Sequence, residues 1–188
     1  MMRIITGRAK GVRLDTLEGV ATRPTSERVK EALFSTLQFD IQDRSVLDLF
    51  SGSGQLALEA LSRGAASAVM VDRSRDAIKI IKKNIEKTKL GDACEVYNCE
   101  FKEYILKNKG RKFDIIFIDP PYAAGLYGEC ISLLLSCDML KPSTLIVCES
   151  ESDHPLEDAP KIAEQLEIFK HSRYGRAAIT IFKKKENA

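Results

Sequence analysis

The residues best suited to chemistry are Asp119-Pro120-Pro121-Tyr122, which follow the apolar run Phe113–Ile118. This short, β-rich run predicts a strand that is buried on both faces of a parallel sheet. Because prolines lack N–H donors, the chain must leave the sheet after Asp119, at the edge where open α/β sheets bind ligands. A carboxylate, the carbonyl of Pro120 and the ring of Tyr122 suit the amino group of a stacked planar base. The alternative is an ordinary strand that ends in a proline turn.

A second candidate site is the turn Ser51-Gly52-Ser53-Gly54, which follows a predicted strand and opens a predicted helix. Glycines let the backbone approach a ligand closely, and Asp72, twenty residues after Gly52, is spaced to hold ribose hydroxyls. The pattern also fits a nicotinamide dinucleotide. Asp48 opposes that interpretation, because its charge would lie near a pyrophosphate. The same charge suits a ligand with a cationic amino group, such as S-adenosylmethionine.

Length and composition limit the class of protein. The chain has 188 residues, of which 44% are hydrophobic, and this fits one domain, alone or with a small appendage. No apolar run could span a membrane and no signal peptide is recognisable, so we expect a cytoplasmic protein. The five cysteines form no Cys-x-x-Cys pair and only two histidines occur. We therefore expect reduced thiols and assign no metal.

The net charge of +2 conceals an uneven distribution of charged residues. Basic residues crowd both ends of the chain, and an acidic stretch lies between them at 149–167. A basic face built from the two ends could bind a phosphate backbone, and solvated surface charge is the alternative. The basic residues near the two ends are Arg3, Arg8, Lys10, Arg13, Arg23, Arg28, Lys30, Lys170, Arg173, Arg176, Lys183, Lys184 and Lys185.

The order of the predicted elements indicates an α/β fold with a doubly wound, mostly parallel sheet and an antiparallel hairpin at its C-terminal end. The predicted strands are 46–50, 68–71, 95–99, 113–118, 145–149, 165–171 and 177–183. The predicted helices are 24–37, 55–63, a helix capped by Ser74, 102–107 and 127–135. Two further short strands, 3–6 and 12–14, predict a basic N-terminal hairpin that should pack on the main domain or on a partner.

The two motifs together resemble those of the amino-methyltransferases in the class I, Rossmann-like superfamily. The rest of the chain is similar to one family within it, the RsmD-type enzymes that methylate the exocyclic N2 of a guanine in 16S ribosomal RNA. The segments that carry this resemblance include Arg3-Ile4-Ile5, Arg23-Pro24-Thr25-Ser26-Glu27-Arg28, Asp48-Leu49-Phe50-Ser51-Gly52-Ser53-Gly54, Asp119-Pro120-Pro121-Tyr122 and Arg173-Tyr174-Gly175.

The resemblance implies a seven-stranded methyltransferase domain over 23–188, preceded by a basic β-hairpin extension over 1–22. The catalytic residues would be Asp119, Pro120 and Tyr122: the first two accept the N–H bonds of the target amino group, and the third stacks on the flipped-out base. The implied cofactor-binding residues are Asp48, Phe50, Gly52, Gly54, Asp72, Arg73, Glu100, Phe101 and Asp119. The implied substrate-binding residues are Arg8, Lys10, Arg13, Arg23, Thr25 and Ser26.

The expected cofactor is S-adenosylmethionine, and the expected partner of this monomeric enzyme is ribosomal RNA, free, in the small subunit or in an assembly intermediate. The chain departs from the family pattern at Ala57, Glu100 and Arg176, which bears on affinity more than on chemistry. Two other functions remain open. One is a DNA or RNA amino-methyltransferase acting on adenine N6 or cytosine N4, although little room remains for a target-recognition domain. The other is a non-catalytic RNA-binding assembly factor, which the intact Asp119 and Tyr122 oppose.

Overall fold

The computed structural model of the protein describes residues 2–17, 27–120 and 126–186. In this part of the chain the strands are β1 (Ser45–Asp48), β2 (Ser67–Asp72), β3 (Cys94–Asn98), β4 (Phe113–Ile118), β5 (Leu140–Ser150), β6 (Leu166–Tyr174) and β7 (Ala177–Lys184). They form one sheet of order β3-β2-β1-β4-β5-β7-β6. The first five strands are parallel, and β7 pairs antiparallel with both β5 and β6. The predicted fold class is confirmed.

Helices cover both faces of the sheet. They are α1 (Glu27–Thr36), α2 (Gln55–Ser62), α3 (Arg75–Thr88), α4 (Phe101–Lys107), α5 (Leu126–Ser136) and α6 (Pro160–Ala163). Side chains of α1, α2 and α3 form one buried cluster with one face of the sheet, and side chains of α4 and α5 form a second cluster with the other face. The central strand β4 is buried along its whole length because it contributes to both clusters.

Local sequence explains where several elements begin. Ser74 caps α3, since its side chain accepts a hydrogen bond from the Ala77 N–H at 3.3 Å. The apolar positions of α3 recur at helical spacing, so Ala77, Ile78 and Ile81 are buried while its lysines stay outside. The cap, the inward face and the start of α2 at Gln55 were all predicted and are confirmed.

Some predicted bounds need correction. β5 begins at Leu140 rather than at residue 145, because Leu140 pairs with Phe113 before a register shift in the β4–β5 ladder. The short helix α6 was not predicted, and its four residues are too few for a helical periodicity to be recognised in the sequence. The hairpin β6–β7 extends to Tyr174, three residues beyond the predicted end of the first strand.

The N-terminal segment, residues 2–17, packs closely against the rest of the protein. Its two arms make a single antiparallel bridge between Arg3 and Arg13 in place of the predicted strands. Ile4, Ala9 and Leu14 are buried in the same cluster as α1 and α2, so this segment supplies part of the core. Among the described residues, no helix combines the length and apolar character needed to cross a lipid bilayer.

Candidate active site

Three carboxylates converge at the carboxyl edge of the sheet. Asp48 ends β1, Asp72 ends β2, and Asp119 follows the last residue of β4. These strands are neighbours in the order β2-β1-β4, and the direction of winding reverses between β1 and β4. Open α/β sheets bind ligands in the crevice at such a switch point. The structure therefore brings together carboxylates that the sequence places far apart.

Asp48 is a buried carboxylate in an environment suited to binding a cationic group. Its side chain is 1% exposed, and its Oδ1 atom has no hydrogen-bond partner among the described residues. Burial raises the pKa of Asp48 to about 7, against the opposing effect of a hydrogen bond from the backbone of Phe50. A buried carboxylate with an unsatisfied oxygen is costly unless a donor or a positive charge meets it. This orphaned oxygen fits the ammonium group of S-adenosylmethionine.

The glycine turn between β1 and α2 leaves open space where a ligand could lie. Gly52 and Gly54 both have positive φ angles, 53° and 77°, which favour glycine. A Cβ atom on Gly52 would meet nothing within 4 Å, whereas one on Gly54 would lie 3.1 Å from the sulfur of Met70. Gly54 is therefore required by the turn and its packing, and Gly52 borders free space beside Asp48.

Asp72 holds the same turn in place. Its two carboxylate oxygens accept hydrogen bonds at 2.8 Å from the backbone N–H groups of Gly52 and Ser74. Burial raises the pKa of Asp72, and these two hydrogen bonds oppose the rise. Each carboxylate oxygen has a second acceptor site, so Asp72 can also accept from ribose hydroxyls. Asp72 therefore fixes the glycine turn and keeps acceptor capacity for a ligand.

Asn98 was missed by sequence reasoning. Its side-chain amide donates to the backbone carbonyls of Asp72 and Arg73, both at 3.0 Å, from the end of β3. These bonds hold the backbone that carries Asp72. The signal for it was an amide residue at the carboxyl end of a predicted strand.

The predicted adenine side of the site is lined by aromatic rings. The rings of Phe50 and Phe101 are 5.3 Å apart and tilted by 46°. Phe101 is buried at the start of α4, whereas the exposed side chains of Arg73 and Glu100 form an ion pair of 3.4 Å at the rim. The ring contact and the ion pair adjoin each other through the neighbouring residues Glu100 and Phe101, and their role in holding a cofactor stays a prediction.

Asp119 lies in a partly enclosed environment just after the end of β4. It is half-buried, and Pro120 behind it is buried. Burial raises the pKa of Asp119 well above its ordinary value, and the charges of Glu149 and Asp48 raise it further. Glu149, at the end of β5, was also missed, although an acidic residue at a strand end was a visible signal. The predicted site residues Tyr122, Arg23, Thr25 and Ser26 lie outside the described residues.

Of the basic residues predicted to bind substrate, Arg8, Lys10 and Arg13 are described and exposed, but the structure does not bring them all to this edge. The Arg8 N–H donates to the carbonyl of Ser62, at the far end of α2 from the glycine turn. Because α2 has eight residues, the Arg8 loop lies roughly 12 Å along the helix from the turn. Lys10 shares this loop, and Arg13 lies in the bridge with Arg3.

A buried ion cluster joins this N-terminal segment to the helix that follows the glycine turn. Glu59 of α2 is fully buried and pairs with Arg63 at 2.8 Å and with Lys30 of α1 at 3.3 Å. It also accepts from the backbone N–H groups of Ile5 and Thr6 at 2.8 and 3.0 Å. Sequence reasoning assigned Glu59 no structural role, because its helix is otherwise apolar.

Comparison with known proteins agrees with the fold and shows the family. The family model described as Conserved hypothetical protein 95 matches residues 2–183. The Ribosomal RNA small subunit methyltransferase D of Escherichia coli (strain K12) is 40% identical over 159 residues, which cover 85% of this chain and 79% of that protein. The solved structure of yhhF from Escherichia coli has a TM-score of 0.85 at 35% identity and covers 98% of both chains. SMU.776, solved in complex with SAH, has a TM-score of 0.67 over 80% of this chain and 49% of its own, and its 15% identity shows the fold alone.

The fold and the site define a class of enzyme: an S-adenosylmethionine-dependent methyltransferase built on a Rossmann-like sheet. The resemblance to RsmD-type enzymes that the sequence indicated is confirmed. The chain belongs to the family described as Conserved hypothetical protein 95.

Proposed function

We propose that the protein transfers the methyl group of S-adenosylmethionine to the exocyclic N2 of a guanine in 16S ribosomal RNA. The observation that carries this proposal is the position of Asp119, half-buried after β4, followed by the buried Pro120 and close enough to the buried Asp48 for their charges to interact. When bound, S-adenosylmethionine supplies a methyl group on a positively charged sulfur. The protein has to present the amino group to it.

The proposed reaction needs no strong base, but it needs precise placement of the target amino group. The lone pair of a guanine N2 is delocalised into the ring and is a poor nucleophile. The Asp119 carboxylate and the Pro120 carbonyl would accept its two N–H bonds and direct the lone pair towards the methyl group. No strong base is needed, because the amino proton becomes acidic only as the new bond forms. Alignment supplies much of the remaining rate acceleration.

The other predicted residues have separable roles in this proposal. Asp48 would pair with the methionine ammonium, Asp72 would hold the ribose, and Phe50 and Phe101 would pack near the adenine. The backbone of Gly52 and Gly54 would approach the cofactor, with Arg73 and Glu100 at its rim. Tyr122 would stack on the flipped-out base, Arg23, Thr25 and Ser26 would lie over the site, and Arg8, Lys10 and Arg13 would contact RNA phosphates.

The setting of the reaction is part of the same proposal. The substrate would be ribosomal RNA within the small subunit or an assembly intermediate, and the enzyme would act as a monomer in the cytoplasm. Residues 1–22 would serve as a basic extension and 23–188 as the methyltransferase domain. The name of the Escherichia coli relative, Ribosomal RNA small subunit methyltransferase D, supports the ribosomal RNA substrate.

Mapping of modified nucleosides tests the reaction. Total RNA from a strain that lacks this protein should lose one N2-methylguanosine from 16S ribosomal RNA, and the wild-type protein, added with S-adenosylmethionine to small subunits from that strain, should restore it. Loss of an N6-methyladenosine or N4-methylcytidine instead would favour the alternative amino-methyltransferase function. Unchanged methylation with a defect in subunit assembly would favour the non-catalytic function.

Calorimetry tests the cofactor independently of the RNA. Titration with S-adenosylmethionine should give saturable heat, and NAD should give none. Binding of NAD without binding of S-adenosylmethionine would overturn the assignment of the glycine turn.

A further inference from the structure

The carboxyl edge holds one acid that the proposed mechanism does not use. β4 and β5 are parallel, and their last paired residues are Ile118 and Cys148. The next residues along the two strands are Asp119 and Glu149. Paired residues on neighbouring parallel strands point to the same side of a sheet, and the strands lie about 4.8 Å apart. Continuing this register by one residue puts Asp119 and Glu149 on the same side of the sheet, and the two carboxyl groups are close enough for the charge of Glu149 to raise the pKa of Asp119.

The backbone of Glu149 is fixed from two directions. On the outer side it pairs with Ile179 of β7. Its carbonyl accepts a hydrogen bond from the hydroxyl of Tyr127 at 2.5 Å. Glu149 itself is half-buried, and its charge is one of the causes that raise the pKa of Asp119. The backbone of Glu149 is thus fixed, and the like charges of the two neighbouring acids favour a ligand that brings N–H donors to this edge.

The nucleobases differ in what they present to two adjacent acceptors. The Watson–Crick edge of guanine carries two neighbouring donors, the N1–H and the N2 amino group. Adenine and cytosine each present one amino group beside an unprotonated ring nitrogen, whose lone pair would face a carboxylate. A site built to accept a hydrogen bond strongly rejects an analogue that lacks the donor, because its polar group is left unpaired.

We propose that Glu149 is a specificity-determining residue that accepts the N1–H of the target guanine while Asp119 accepts an N2–H. This inference rests on the proposed function and adds to it the residue that selects guanine. Asp119 would accept from an amino group, which adenine and cytosine also carry. Glu149 would accept from the N1–H of guanine, and adenine and cytosine have no corresponding donor.

The test compares guanosine with 2-aminopurine at the methylated nucleotide. 2-Aminopurine keeps the 2-amino group but has no hydrogen on N1. Small subunits are reconstituted with 16S ribosomal RNA that carries either base at the position mapped for the wild-type enzyme. The wild-type protein should prefer guanosine in kcat/KM by a factor on the order of 10² or more. In Glu149→Gln the side-chain amide can donate to the bare N1, so this preference should fall at least ~10-fold, with turnover of 2-aminopurine rising.

Two further variants complete the test. Glu151→Gln changes an exposed acid two residues away and should leave the preference unchanged. If Glu149→Gln does not fold, Glu149→Asp replaces it in the test. The shorter side chain moves the carboxylate away from N1, which should lower turnover of guanosine more than turnover of 2-aminopurine. Equal use of the two bases by the wild-type protein, or an equal loss on both in the Glu149 variants, would overturn the inference. Failure of the proposed function is distinguishable, since the unsubstituted subunits would then gain no N2-methylguanosine.

Discussion

At the scale of single residues, the site depends on carboxylates placed where water is scarce. Asp48 and Asp119 both have raised pKa values, and burial is the largest cause for each. Carboxylates in a cleft whose pKa is raised by burial are candidates for functional sites, because a ligand can supply compensating hydrogen bonds or charge. Here the expected ligand groups are an ammonium for Asp48 and an aromatic amine for Asp119.

The raised pKa of Asp48 predicts a pH dependence of cofactor binding. A cationic ligand requires the deprotonated carboxylate, and the pKa of Asp48 in the free protein is about 7. The affinity for S-adenosylmethionine should therefore rise by up to about tenfold per pH unit from pH 5 to 7 and level off above 7. Calorimetric titrations at several pH values measure this. In Asp48→Asn, affinity should be weak and nearly independent of pH; a parallel pH dependence in the variant would exclude Asp48 as its source.

The raised pKa of Asp48 has the opposite effect on the stability of the ligand-free protein, which falls as pH rises while cofactor affinity increases. Between the ordinary pKa of an aspartate, 3.8, and about 7, the folded state binds more protons at Asp48 than the unfolded state does. The contribution of Asp48 to the free energy of unfolding therefore falls as pH rises through this window. Asp48→Asn should be as stable as the wild type at pH 4 and more stable at pH 8, as denaturant unfolding at both values would show.

Asp119→Ala tests the proposed catalytic acceptor. Methyl transfer should fall by a factor on the order of 10² or more, because one N–H of the target amine loses its acceptor. The fold should persist, since the change relieves a carboxylate whose pKa is raised by burial and by like charges. Single-turnover methylation and thermal unfolding of the same preparation separate the two effects. Turnover near the wild-type level would remove Asp119 from the mechanism.

At the scale of elements, the glycine turn and the N-terminal segment are both attached to α2. The turn precedes the first residue of the helix, and Glu59 in its middle accepts hydrogen bonds from the N-terminal backbone. Lys30 of α1 completes the attachment, since it also donates to the carbonyl of Arg3 at 2.5 Å. The cofactor turn, α1 and the N-terminal segment should therefore unfold as one unit.

Glu59→Ala should be strongly destabilising. It removes the acceptor for two backbone N–H groups and leaves the buried Lys30 ammonium without its counter-charge. The expected loss in the free energy of unfolding is about 3 to 5 kcal/mol. A matched control is Glu103→Ala, because Glu103 also pairs with a basic residue four positions later, Lys107, but on the surface. Equal losses for the two variants in urea unfolding would show that the buried cluster has no special role.

At the scale of the whole molecule, the cofactor site and the basic N-terminal loop lie at different ends of α2. This separation predicts that loop and site can be altered independently. The loop extends the basic surface away from the carboxyl edge, which suits contact with a large RNA whose target base alone enters the site.

Reversing Arg8 and Lys10 to Glu should weaken RNA binding without changing affinity for S-adenosylmethionine. Each lost phosphate contact should lower the slope of log affinity against log salt by about one unit. Titrations of small subunits at several salt concentrations measure the slope. Reversing Lys107 and Lys109, on the α4 side of the sheet, changes the net charge equally and serves as the control. Equal effects of the two double variants would mean that net charge, and not the loop, governs binding.

The sequence alone determined the order of the seven strands of the sheet along the chain, the fold class, the two motifs and the cofactor. Strands and helices are encoded in local periodicity, and glycines and prolines mark their ends, so a parallel sheet follows from their alternation. The parallel strands then force Asp48, Asp72 and Asp119 to one edge, which is why these three residues could be chosen before the structure was known.

Only the tertiary structure decided what surrounds those residues. Four features depend on contacts between distant segments of the chain. Two concern α2: Glu59 is buried in it, and Arg8 lies at its far end. The other two are the hydrogen bond from Asn98 to the Asp72 backbone and the place of Glu149 beside Asp119. A local pattern specifies which face of an element is apolar, but not which neighbour meets it. Strand order places Glu149 next to Asp119, since β5 pairs directly with β4, and burial at that edge raises the pKa of Asp119.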